Sequence, residues 1–169
     1  MNDFDKYKYL LGETITLYQF MENDLKLIFA GMLKGNFYKN IEYVRSEYKG
    51  LGQVIKALEE LDNSDATPYF SKDTYFMLSK LARQRNYYCH QCCMDFAYIP
   101  DFENSIEFKD SLGTLMDTNK NIKRIQTQIE IHKNDVLSKF NRVWAICCKQ
   151  FVVAKIILFF QVFLLIKNI

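Results

Sequence analysis

The residues best suited to chemistry lie together in the segment RQRNYYCHQCC, residues 83 to 93. This segment holds His90, one of only two histidines in the chain, with two arginines upstream of it and three of the five cysteines around it. These residue types can form a zinc centre, a reactive thiol, or an arginine and histidine pair that acts on a phosphate ester. A helix that is merely polar on one side is the alternative without chemistry.

The spacing argues against zinc and against a nucleophilic cysteine. On a continuous helix Cys89 and Cys93 share a face, whereas His90 points about 100° away from it. No second pair of cysteine or histidine residues at ligand spacing occurs elsewhere. Cys89 and Cys92 lie on an apolar stripe, and free cysteine is among the most buried residue types. We therefore interpret these cysteines as packing residues and expect neither a metal nor another cofactor.

Arg85, Asn86 and His90 form a group suited to phosphodiester chemistry. Asn86 and His90 are four positions apart, so their side chains stack on one helix face, and Arg85 is long enough to curl toward the same space. A guanidinium neutralises phosphoryl oxygens, an imidazole transfers protons near neutral pH, and an amide orients one of them. In the alternative interpretation, Arg85 pairs with Glu22 or Asp24 of a neighbouring helix and His90 is an ordinary surface residue.

Helices must position this group, because the chain has few helix breakers and its apolar residues recur at helical spacing. Only six glycines and two prolines occur in 169 residues. The pattern predicts an all-α fold, an antiparallel bundle of four to five helices with short connections. The stripes cover about residues 6–34, 38–61, 72–98 and 103–140. Gly50 and Gly52 weaken the second stripe, and a break near GTLMDTN in the fourth stays open.

The third predicted helix carries the candidate group. Ser71 is a suitable N-cap for it, and Pro100 is expected to stop it. Its inward stripe is apolar except at Arg85. A polar residue in an apolar stripe is the kind of local departure expected at a functional site.

Charge and cysteine usage indicate where the protein acts and what it binds. The formal net charge is +2, but residues 1–70 carry 8 Lys and Arg against 11 Asp and Glu, whereas residues 71–169 carry 14 against 9. The second half therefore offers the better surface for an anion. An odd number of clustered cysteines and a charged start without a signal peptide favour a reducing, cytoplasmic location.

The C-terminal part differs in character, so we divide the chain into a bundle at residues 1–140 and a hydrophobic helix at residues 141–169. Every residue from Phe151 to Ile166 is apolar except Lys155 and Gln161. Sixteen helical residues rise about 24 Å, less than the about 30 Å of a bilayer core, and a buried lysine is costly there. A helix packed against protein and a membrane-associated tail through residues 151–166 both remain open.

The string R-N-x-x-x-H, from Arg85 to His90 on the third helix of a small bundle, resembles the HEPN superfamily. The hallmark of that family is an arginine, a following polar residue, and a histidine after a short spacer. The resemblance covers about residues 6 to 140. Its members are typically homodimeric helical bundles whose motif helices meet at a cleft. Many are metal-independent endoribonucleases that act as toxins beside nucleotidyltransferase antitoxins or in phage defence.

The resemblance implies that Arg85 and His90 are catalytic, that Asn86 holds the polar position between them, and that RNA is the substrate of a homodimer. The RNA 2′-hydroxyl would be the nucleophile, His90 would transfer a proton, and Arg85 would stabilise the growing charge. In one toxin branch a tyrosine stands two residues after the histidine and is modified by the partner. Cys92 occupies that position here, so such modification is not expected.

Basic and aromatic residues nearby are candidates for RNA binding. Tyr87 is suited to stacking on an unpaired base, although aromatic residues more often belong to a core. The basic approach to the RNA backbone is predicted at Lys80, Arg83, Lys123 and Arg124, and the alternative is an ordinary solvated helix face. Two other functions stay open: a non-catalytic HEPN-like module that binds a nucleotide or a partner such as a nucleotidyltransferase, and a membrane-linked helical protein.

Overall fold

The structure, a computed structural model, describes residues 2–139, in which helices are joined by turns and short loops. The described residues form five α-helices and one short 3-10 helix, at Phe102–Asn104, and contain no strand. The all-α bundle predicted from the sequence is confirmed. The predicted C-terminal helix at residues 141–169 lies outside the described residues. The α-helices are α1 (Asp3–Met32), α2 (Phe37–Glu47), α3 (Leu51–Asp62), α4 (Lys72–His90) and α5 (Ile106–Lys139).

Successive helices alternate in direction. Gly52, early in α3, lies beside Ala82, late in α4, whereas Asp62 at the end of α3 contacts Tyr75 near the start of α4. These two helices are therefore antiparallel.

The same alternation over five helices places α1 and α5 in the same direction. Asn119 donates a hydrogen bond of 2.9 Å to Thr14, and Gly31, about 17 residues further along α1, packs against Leu137. The contacts advance along both helices together, so the two longest helices form a parallel pair at the centre of the bundle.

The second predicted helix is two helices. α2 ends at Glu47, and α3 begins at Leu51 after a short break. Gln53 stabilises the start of α3, because its side-chain oxygen accepts hydrogen bonds from the backbone N–H groups of Lys49 and Gly50, at 2.9 and 3.2 Å. Gly50, one of the two glycines that weaken the second predicted helix, thus lies at the boundary between α2 and α3. The fourth predicted helix, in contrast, is the single helix α5, which continues past Gly113 without the break that GTLMDTN left open.

The third predicted helix is shorter than expected. α4 ends at His90 and the chain continues in turns, whereas the sequence predicted a helix to about residue 98. The Tyr87 carbonyl accepts hydrogen bonds from the backbone N–H groups of both Gln91 and Cys92, at 2.8 and 3.0 Å, which closes the helix before Pro100. Phe96, which helical spacing would place on the inward stripe of a helix that reached residue 98, therefore lies outside α4. It packs instead in an aromatic cluster with Tyr7, Phe102 and Phe108.

α1 contains two glycines, Gly12 and Gly31, whose surroundings differ. Alanine substitutions at these positions test the contact between α1 and α5 by its effect on stability. A Cβ atom at Gly12 would meet nothing within 4 Å, whereas one at Gly31 would lie 3.1 Å from Leu137 Cδ2. We expect Gly12→Ala to raise the free energy of unfolding by about 1 kcal/mol, because alanine loses less backbone entropy in a helix. Gly31→Ala should raise the free energy of unfolding by less, since Leu137 must move to make room. Urea unfolding of both variants measures the difference, and equal gains would show that the contact at Gly31 is loose.

None of the helices formed by residues 2–139 combines the length and the apolar character needed to cross a membrane.

Candidate functional site at the end of α4

The candidate group lies in the last turns of α4. Ser71 begins this helix as predicted, because its hydroxyl oxygen accepts a hydrogen bond of 3.2 Å from the Thr74 backbone N–H. Asn86 and His90 are exposed, and Arg85 is half-buried. Five helical positions separate Arg85 from His90, which places their Cβ atoms about 140° apart around the helix axis. Arg85 therefore begins on the inward side of α4, and His90 points outward as its last residue.

A hydrogen bond turns the Arg85 guanidinium toward the outward side. Arg85 Nη1 donates to Asn86 Oδ1 at 3.2 Å. Asn86 lies one turn before His90 on the same face, so the amide connects the arginine to the face that carries the histidine. The Arg85 side chain therefore curls as far as the Asn86 amide.

The carboxylates suggested as alternative partners of Arg85 are occupied by other groups. Glu22 accepts from Lys26 at 2.7 Å. Asp24 accepts from Lys133 at 2.9 Å and from Gln126 at 3.1 Å. Over residues 2–139, neither Arg85 nor His90 forms an ion pair with a carboxylate. No carboxylate among the described residues therefore neutralises either side chain.

Tyrosines support the last turns of α4 from the inward side. Tyr88 is buried and donates a hydrogen bond of 2.9 Å to Thr118 of α5. Tyr18 of α1 is fully buried, and its hydroxyl has no hydrogen-bond partner within the described part of the chain. Burial raises the pKa of Tyr18, and the nearby Tyr88 and Cys89 raise it further. The place of Tyr18 beside α4 could not be predicted from the sequence, because it depends on the packing of α1 against α4.

Tyr87 ties the end of α4 to the following loop. Its ring lies edge-on to Tyr88, with 5.1 Å between ring centroids, and its hydroxyl donates to the Asp95 carboxylate. Burial, and then the hydrogen bond to Asp95, raise the pKa of Tyr87. The hydroxyl is thus used within the protein. The stacking role of Tyr87 remains a prediction and concerns only the exposed part of its ring.

The basic residues divide between two helices. Lys80 and Arg83 are exposed on α4 and lie ten and seven residues before His90, spacings that place all three on one face. Lys123 of α5 forms an ion pair with Glu13 of α1 at 2.8 Å, which lowers the pKa of that glutamate. Arg124 donates to Asn121 at 3.5 Å. The structure therefore brings Lys80 and Arg83 onto the face of the candidate group, whereas Lys123 contacts α1.

Of the three cysteines near the end of α4, Cys92 has the surroundings of a packing residue, whereas Cys89 is half-buried and Cys93 is exposed. Cys92 is buried, and its thiol donates to the Tyr88 carbonyl at 3.2 Å. Burial and the adjacent Cys92 raise the pKa of Cys93 to about 11, so the Cys93 thiolate is scarce at neutral pH. Among residues 2–139, no three His, Cys, Asp or Glu side chains are grouped so that they could hold a metal ion.

Comparison with protein families, with curated proteins and with solved structures finds no match to this chain. The resemblance to HEPN proteins therefore depends on the six residues from Arg85 to His90 and on the helical bundle that carries them.

Proposed function

We propose that the chain is a metal-independent endoribonuclease of HEPN type in which Arg85, Asn86 and His90 form the catalytic group. The hydrogen bond from Arg85 to Asn86 supports this proposal most, because it directs a guanidinium that has no carboxylate partner within residues 2–139 toward the face of an exposed imidazole. A cation beside a proton-transfer group is the pairing that cleavage of a phosphodiester requires.

The chemistry can be followed bond by bond. The RNA 2′-oxygen attacks phosphorus, the bond from phosphorus to the 5′-oxygen breaks, and the products carry a 2′,3′-cyclic phosphate and a 5′-hydroxyl. One proton leaves the 2′-hydroxyl and one must reach the 5′-oxygen. His90 accepts or donates one of these protons, and Arg85 stabilises the negative charge on the phosphoryl oxygens. Asn86 holds the guanidinium in place.

A homodimer supplies the second proton-transfer group. One histidine cannot readily donate and accept a proton in the same step, and His132, the other histidine, packs against Tyr69 and Phe70. Two copies related by a two-fold axis would place two His90 side chains in one cleft. A toxin or phage-defence role, with a nucleotidyltransferase as the antitoxin, belongs to the same proposal and derives from the family resemblance alone, whereas the proposed cytoplasmic location derives from the clustered cysteines and the charged start of the chain.

A second candidate is a binding module that does not cleave RNA. It is favoured by the angle of about 140° between Arg85 and His90 on α4, which only the curl of the arginine offsets. In that function Arg85 would still contact a phosphate of a nucleotide or a bound partner, and His90 would be dispensable.

The ends of the RNA products distinguish the two candidates. Purified protein free of contaminating nucleases is incubated with a defined RNA and a metal chelator, and the fragments are analysed by mass spectrometry. The nuclease produces 2′,3′-cyclic phosphates and 5′-hydroxyls without metal. RNA that is bound but left intact supports the binding module, and fragments with 5′-phosphates would contradict the proposed mechanism.

A further inference from the structure

The outward face of α4 extends the candidate site toward the start of the helix. No acidic residue occurs from Thr74 to His90, although the helix begins with Asp73. The exposed positions recur at steps of three and four and therefore share one face. They are Phe76, Lys80, Arg83, Asn86 and His90. This face, which we call the α4 track, carries two permanent cations and ends at the catalytic group.

Phe76 is the unexpected residue of the α4 track. Its side chain is 71% exposed, and it forms no ring contact with another aromatic residue within the described part of the chain. An exposed phenylalanine one helical turn before Lys80 contributes nothing to the core. Aromatic rings beside cations are the arrangement with which proteins bind single-stranded nucleic acids, because bases stack on the ring and phosphates contact the cations.

We propose that Phe76 is a base-stacking residue and that single-stranded RNA runs along the α4 track from His90 to Phe76. This inference rests on the proposed function and adds a binding position remote from the cleaved bond. Fourteen residues of helix separate Phe76 from His90, a distance of about 21 Å. A strand with the stacked spacing of about 3.4 Å per nucleotide covers it with about six nucleotides.

Charge favours RNA over a direct contact with a second copy of the protein. A two-fold axis through the middle of the α4 track, at Arg83, would bring the Arg83 side chains of the two copies toward each other with Lys80 close by, and neither residue forms an ion pair within residues 2–139. Like charges that face each other across an interface are costly. An RNA strand between the helices would neutralise both copies. The strand must be unpaired near Phe76, because base pairing hides the faces that stack.

Binding of fluorescently labelled RNA tests this inference. The measurement uses full-length protein carrying His90→Ala, so that the RNA stays intact, and compares a single-stranded oligonucleotide with its duplex. Adding Phe76→Ala should raise the Kd for the single strand about tenfold and change the Kd for the duplex little. Phe76→Trp should retain tight binding. Phe20→Ala is the matched control, because Phe20 of α1 is 56% exposed and lies outside the α4 track.

Each outcome has a distinct meaning. If Phe76→Ala binds the single strand as tightly as its parent, the inference is wrong, and the proposed function survives provided that His90→Ala alone abolishes cleavage. If Phe76→Ala changes the oligomeric state in sedimentation but not the affinity for RNA, the face is a protein contact and the inference again fails. If the wild type neither binds nor cleaves RNA, the proposed function falls together with the inference.

Discussion

Replacing His90 or Arg85 by alanine is expected to abolish RNA cleavage while the bundle stays folded. Loss of a proton-transfer group lowers kcat by about 10²- to 10⁴-fold, and loss of a group that stabilises transition-state charge by about 10²- to 10³-fold. The fold should tolerate both changes, because His90 is exposed and Arg85 forms no ion pair within residues 2–139. Initial cleavage rates at several RNA concentrations give kcat and KM, and circular dichroism checks the helical content.

Arg83 provides the matched control for Arg85. It is exposed on the same helix two residues earlier, and it belongs to the α4 track rather than to the proposed catalytic group. Arg83→Ala should raise KM and leave kcat nearly unchanged, because it removes attraction that substrate and transition state share. Arg85→Lys should restore little activity, since an ammonium cannot form the bidentate contact of a guanidinium. Equal losses of kcat in Arg83→Ala and Arg85→Ala would show that Arg85 is one cation among several.

Replacing Asp62 by alanine is expected to lower the free energy of unfolding more than the substitutions at Gly12, Gly31 or Asp65. Asp62 is 1% exposed, and its carboxylate accepts three hydrogen bonds at the junction of α3 and α4. The donors are the Tyr69 and Phe70 backbone N–H groups, at 2.7 and 2.9 Å, and the Tyr75 hydroxyl, at 2.8 Å. Each buried donor that loses its acceptor costs about 1–3 kcal/mol. The free energy of unfolding of Asp62→Ala should therefore be lower than that of the wild type by about 3 kcal/mol or more. Urea unfolding measures this loss, and Tm should fall by about 10 °C.

Two variants make the Asp62 result specific. Asp65→Ala removes an exposed carboxylate from the following loop and should change the free energy of unfolding by less than about 0.5 kcal/mol. Asp62→Asn keeps one acceptor oxygen, so its free energy of unfolding should fall by less than that of Asp62→Ala. If all three variants unfold at the same urea concentration, the Asp62 hydrogen bonds do not hold the α3 and α4 connection together.

The helices could be predicted wherever local pattern decides them, and their ends could not. Apolar spacing located the helical stretches, and Gly50 marked a weak point that proved to be a helix boundary. The end of α4 at His90 has no glycine or proline signal, because it depends on two N–H groups that share the Tyr87 carbonyl. Gly113 does not break α5, since it lies exposed on a helix that long-range packing against α1 stabilises.

The candidate site, like the helices, was predictable only where the residues of a single helix decide the geometry. The shared face of Asn86 and His90 follows from helix periodicity, and the curl of Arg85 follows from side-chain length. The neighbours that other segments bring to α4 were not predictable, because the packing of α1 places Tyr18 near Tyr88 and Cys89, and the path of the loop after α4 places Asp95 beside Tyr87. Periodicity specifies which residues of one helix lie together, but it does not specify what another element brings to them.

One comparison tests the proposed catalytic group: the rates at which full-length wild type and His90→Ala cleave a defined single-stranded RNA in the presence of a metal chelator. We predict that the wild type cleaves the RNA and that His90→Ala is slower by about 10²-fold or more. Equal rates for the two proteins, or cleavage that the chelator abolishes, would contradict the account of Arg85, Asn86 and His90 as a metal-independent catalytic group.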